Sequence, residues 1–163
     1  EKIMKSLTYY PSKTGICDRQ LHIESNSVLS YRAEIPESGT HLSIFDGKQL
    51  IGQVDGTYIV LFGKPIEQKK HGWCSWAWVL HDSPQQLLWP ESDCYLLDGL
   101  VVANVTDKLA VIDSDDLFEI LNLFKKRNLS ERFLKLDYDE KKIDDITAFC
   151  LLLVKVSKTF HTI

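Results

Sequence analysis

The sequence has almost none of the features that announce a membrane span, a metal site or an active site. No apolar run approaches the ~20 residues needed to cross a bilayer. The longest, Ile146 to Val156, is interrupted by Lys155. The first residues, Glu1-Lys2-Ile3-Met4-Lys5, hold no apolar core of a secretory signal. The four cysteines, Cys17, Cys74, Cys94 and Cys150, are far apart, and no Cys-x-x-Cys pair suggests zinc or dithiol chemistry. Basic charge is not in excess: 19 Lys and Arg face 23 Asp and Glu, giving a net charge of -4. That balance argues against nucleic acid as a partner, because phosphate contacts call for a basic face.

Catalytic patterns are equally scarce. There is no glycine-rich phosphate loop, no paired metal-ligand histidines and no nucleophile elbow. Asp113 to Asp116 open like a calcium loop, yet Phe118 stands where the loop requires glycine. The acidic run Asp137, Asp139 and Glu140 also lacks calcium-loop spacing and glycine, and reads as solvated charge. His71 and His81 bracket a strand beside Cys74 and Asp82, but would stand ~30 Å apart at the usual rise per residue. No catalytic residue, metal ligand or cofactor is assigned, and the chain is expected not to be an enzyme.

What is present is an ordinary globular composition, 44% hydrophobic and 26% charged, of a length that suits one domain over residues 1–163. Its organising stretch is Ile146 to Val156, whose apolar residues do not keep to one face. A helix of that kind must be enclosed. Asp144 is placed to cap it, while Lys155 and Lys158 suit the negative end of its dipole.

Upstream, the pattern is of short strands. Two antiparallel strands are expected within Cys17 to Ile35. A hairpin follows, His41–Phe45 and Gln49–Val54, around Asp46-Gly47-Lys48. Asp55-Gly56 then leads into Thr57 to Phe62, and a third turn, Asp98-Gly99, joins Cys94–Leu97 to Leu100–Asn104. Trp73 to Leu80 alternates as a strand, and its wide aromatics suit the covering of a core. Over Asp116 to Arg127 the period changes to 3.6, with Leu117, Ile120, Leu121 and Phe124 on one face of an amphipathic helix. Leu134, Leu136 and Tyr138 alternate as a last strand.

Three stretches resemble the tubby C-terminal-like superfamily, which includes the tubby proteins, the phospholipid scramblases and the plant LURP-one-related proteins. They are Leu42 to Ile51, the tryptophan strand through Tyr95 to Ala103, and Leu134 to Tyr138 running into Ile143 to Leu153. The resemblance implies a mainly β fold: a closed antiparallel barrel around the hydrophobic C-terminal helix. The helix of residues 116–127 would then be an addition outside the barrel. The basic phosphoinositide-binding pair of tubby proteins has no counterpart that can be placed on residues here.

The expected function is that of a non-catalytic binding module, a protein-interaction or adaptor subunit inside the cell, with no catalytic turnover. Its partner-binding candidates are Phe118 and Leu123, which flank the apolar stripe of the added helix, with Lys125, Lys126 and Arg127. The alternative is a cytoplasmic, membrane-peripheral module that binds anionic phospholipid or phosphoinositide headgroups through Lys64, Lys69, Lys70, Lys141 and Lys142.

Overall fold

The computed structural model describes residues 4–11, 20–36, 41–56, 58–71, 75–79, 87–91, 93–109 and 132–160. The helix expected over residues 116–127, with Phe118, Leu123, Lys125, Lys126 and Arg127, lies outside the described residues.

The enclosed helix, α1, spans Asp145–Phe160. Asp144 caps it, its Oδ1 accepting from the Thr147 backbone N–H at 3.0 Å. Burial is all-round, as the lack of a polar face requires: Ala148 to Val154 and Val156 are all buried.

Two antiparallel sheets cover α1. The larger has the order β2 (Ile23–Ser25), β1 (Lys5–Tyr9), β13 (Arg132–Tyr138), β12 (Leu100–Leu109), β11 (Cys94–Leu97), β10 (Leu87–Glu91), β9 (Ser75–Val79), β8 (Gln68–His71). The smaller runs β3 (Tyr31–Glu34), β4 (Leu42–Asp46), β5 (Gln49–Val54), β6 (Ile59–Leu61), β7 (Lys64–Pro65). The helix packs on β1 and β13 of the first and on β5 of the second. Leu134, Leu136 and Tyr138 alternate inward along β13, as their spacing predicts. Trp78 is likewise core, near Tyr95, though its indole N–H has no acceptor.

The expected closed barrel is not formed; both sheets are open. At one flank the chain passes between sheets at residues 66–67. The Ile66 N–H donates to the Ile59 carbonyl in the smaller sheet, and the Glu67 carbonyl accepts from Val79 in the larger. Between them the ladder cannot continue, because β7 has two residues and Pro65 has no N–H to give. At the other flank, among the described residues, the sheets meet through the bridge Gln20↔Glu34 and the Leu21 N–H on the Ala33 carbonyl. The two strands expected within Cys17 to Ile35, β2 and β3, therefore belong to different sheets and do not pair with each other. Alternation reads which face a residue takes but not which neighbour its strand chooses.

The hairpins show what each turn demands. Asp98-Gly99 has positive φ at both positions, +52° and +82°, the pattern of a type I′ turn. At the first hairpin, Asp46 remains in the strand, and only Gly47 takes positive φ, +62°. Gly52 has a packing reason instead: a Cβ there would stand 2.8 Å from both the Leu61 side chain and the Val60 carbonyl.

A polar cluster fixes the start of α1 to the larger sheet. The Tyr138 hydroxyl donates to Asp145 at 2.7 Å, and the Lys5 ammonium lies 3.2 Å from Asp145 and 2.9 Å from Glu140. The Tyr138 hydrogen bond, joined by Lys5, holds the Asp145 carboxyl below the usual carboxylate range. A carboxyl with a depressed folded pKa contributes stability that is present above its unfolded pKa and lost as pH falls through the folded value.

Two outcomes are expected. Leu152→Asp should leave no folded protein by circular dichroism. An unpaired charge in this core costs about 5 kcal/mol or more, comparable to the whole stability of a domain. Asp145→Asn should lower stability at neutral pH in urea unfolding and should flatten its decline between about pH 5 and pH 2. An unchanged acid slope would show that Asp145 gains nothing from Tyr138 and Lys5.

Candidate functional site

The smaller sheet has one face on α1 and one face outward. Ala33 and Ile44, which pair across β3 and β4, are buried on the helix side. Their neighbours in register, Arg32 opposite Phe45 and Glu34 opposite Ser43, take the other side. There the Arg32 guanidinium stands over the Phe45 ring at 4.6 Å, a contact worth about 0.5–1 kcal/mol at an exposed site. Beside it, Glu34, Ile35, Pro36, Ser43 and Phe45 line an open cleft of about 190 Å³.

A bulge carries more apolar surface to that face. Ile44 pairs with Gly52 but Phe45 pairs with Leu50, so Ile51 is an extra residue in β5. The insertion shifts the alternation, and Leu50 comes beside Phe45 with 50% of its surface exposed while Ile51 stays buried.

Next along the sheet is the tip of the β6–β7 hairpin, Phe62-Gly63. Both residues have positive φ, +52° and +77°, and the Phe62 N–H donates to the Ile51 carbonyl at 2.8 Å. A left-handed conformation costs a side chain with a Cβ roughly 1–2 kcal/mol, and Asn, Asp or Gly ordinarily occupies this position. The same protein supplies the comparison: the Asp98-Gly99 tip has matching φ values and carries aspartate. Phe62 is nonetheless 70% exposed, so no packing compensates for the strain. Lys48 and Lys64 are exposed on either side of it in sequence. A strained backbone position holding an exposed ring is grounds for a functional reading.

The lysines singled out in the sequence are dispersed. Lys64 lies on β7, Lys69 and Lys70 on the edge strand β8, and Lys141 and Lys142 in the turn after β13. Strands β9 to β12 separate β8 from β13. Lysine on an edge strand also has a structural use, since it discourages pairing with a second sheet. Among the described residues no group of three or more His, Cys, Asp or Glu could hold a metal ion, and no helix is long and apolar enough to cross a membrane. The Cys150 thiol is buried and pushed up by that burial, away from the reactive thiolate form.

Sequence reasoning placed Phe62 at the end of a strand and so missed the tip. The available signal was Phe62-Gly63 standing between two extended runs, as Asp98-Gly99 does. The cleft left no such signal, because it depends on the pairing of β3 with β4. No family model, curated protein or solved structure matches this chain.

Replacing the ring by a residue suited to the turn tests the strain. Phe62→Asn should raise stability by about 1 kcal/mol, which in a domain of this size lifts the Tm by about 2–4 °C. A fall in Tm on differential scanning calorimetry would mean that Phe62 contributes packing instead.

Proposed function

We propose that the protein is a non-catalytic binding module, an adaptor or interaction subunit, and that it engages a protein partner through the outer face of the smaller sheet. The observation that carries this reading is Phe62, exposed on a strained tip of the same sheet that carries Leu50, Phe45 and, across β5, the cleft. Aromatic anchors that enter a partner's pocket typically contribute 2 kcal/mol or more on truncation. The cleft supplies a concave counterpart on the same face. A cysteine buried in the core as a thiol, Cys150, suits a reducing, intracellular setting. Kinship with the tubby C-terminal-like proteins belongs to the same proposal and rests on the likeness of the three sequence stretches.

The lipid alternative is weaker on magnitude. Lys48 and Lys64 would each add about 1 kcal/mol at an anionic surface. One aromatic ring and two lysines give only marginal anchoring, and the net charge of -4 opposes it.

The test begins with affinity purification from source cells, identification of the co-purifying protein and titration of the purified pair by calorimetry. Phe62→Asn should weaken that complex at least tenfold while the fold is retained. Flotation of the wild-type chain with phosphatidylserine vesicles, reversed by salt and lost in Phe62→Asn, would overturn the protein reading in favour of the lipid one.

A further inference from the structure

The loop between β2 and β3 is held by one side chain. Strands β1 and β2 pair in the register Leu7↔Ser25, Thr8↔Glu24 and Tyr9↔Ile23. Continued, that register sets Ser6 opposite Asn26, Lys5 opposite Ser27 and Met4 opposite Val28. The Asn26 N–H still donates to the Ser6 carbonyl at 3.3 Å, so these two residues stand where a hydrogen-bonded pair of the ladder belongs. The return bond departs from the ladder: the Ser6 N–H donates to the side-chain Oδ1 of Asn26 at 2.9 Å. The Nδ2 of the same amide donates to the Met4 carbonyl at 3.2 Å, the bond that the Val28 N–H would make in a longer strand.

The Asn26 amide thus stands in for a backbone acceptor and a backbone donor, and β2 ends at Ser25. The bend is held from within as well. The Ser27 N–H donates to the Ser25 Oγ at 3.1 Å, and the two hydroxyls lie 3.2 Å apart. Released from the ladder, Val28 is 95% exposed, although a β-branched apolar residue suits a strand better than a solvated bend.

We propose that Asn26 is a conformational stop: its amide holds residues 26–28 in the bent arrangement, and without it β2 extends through Val28. Both arrangements bond the same groups of Ser6 and Met4, the bent one through the amide and the extended one through backbone. Removing the amide therefore takes two hydrogen bonds from the bent arrangement and none from the extended one. At the usual net worth of such bonds, that difference shifts the ratio of the two by roughly tenfold or more. Extension leaves only Leu29 and Ser30 to link β2 to β3, which begins at Tyr31. The stop thereby bears on the strand that carries Arg32 over Phe45 and Glu34 at the cleft. It is independent of which partner that face meets.

Residue-resolved hydrogen exchange and nuclear Overhauser contacts on the isotope-labelled chain distinguish the two arrangements. In the wild type the Ser6 amide should exchange slowly and the Val28 amide fast. No Hα–Hα contact should join Lys5 to Ser27, the pair whose α-carbons approach most closely in a longer ladder. In Asn26→Ala the Val28 amide should slow at least tenfold. The Lys5–Ser27 contact should appear, and Ser6 should stay protected by the backbone carbonyl of residue 26. Asn26→Asp, which keeps an acceptor for Ser6 but offers Met4 no donor, should move part of the way and reads the same equilibrium with a smaller disturbance. Asn26 is exposed, so both variants should keep the fold. An Asn26→Ala chain in which Ser6 and Val28 both exchange fast overturns the proposal, because the side chain is then a cap on an edge along which β2 does not extend. A wild type whose Ser6 amide exchanges fast overturns it as well.

Discussion

One constraint governs the structure: a helix that is apolar on every side from Ala148 to Val154 must be kept from water over that stretch. Helix α1 has no polar face to give to solvent, so a single layer of strands on one side would not do. The protein meets the requirement with two sheets, one on each side, and with chain crossings at residues 20–22 and 66–67 where the sheets approach. Covalent continuity and a few hydrogen bonds close the flanks. A continuous ladder is not needed for burial, which explains how Leu151 to Leu153 can be fully buried inside open sheets.

That solution has a consequence at the surface. Inward-facing positions of the smaller sheet are committed to the helix, including Ile44, Val54 and Ile59. The outward positions are not, and there Phe45 and Leu50 stand among polar residues, Arg32, Glu34, Ser43 and Gln53. Phe45 and Leu50 stand together because a bulge at Ile51 changes the phase of β5. Phe62 sits at a turn whose geometry favours a different residue type. The smaller sheet thus has one apolar face covered by α1 and an outer face of mixed character.

The elements that were legible in the sequence are those set by local pattern. The all-round apolarity of Ile146 to Val156, the cap at Asp144, the alternation of Leu134, Leu136 and Tyr138 and the Asp98-Gly99 turn each follow from periodicity or turn chemistry within a few residues. Closure was not legible, because it turns on which distant strands pair. The absence of an N–H at Pro65 and the passage of residues 66–67 from one sheet to the other decide it. The candidate face was hidden for the same reason: Arg32, Phe45 and Leu50 become neighbours only through register, and Phe62 reads as strand until Gly63 is seen as the second half of a turn. The polar cluster of Lys5, Tyr138 and Asp145 joins residues 140 apart in the chain, beyond any local signal.

The central claim is that the ring of Phe62 meets protein. Substituting Phe62→p-benzoylphenylalanine puts a photoreactive ketone at the tip, and irradiation in source cells records what lies against it. The account predicts protein adducts at the ring of Phe62. Adducts confined to lipid, or a chain that remains uncross-linked after irradiation, would contradict it.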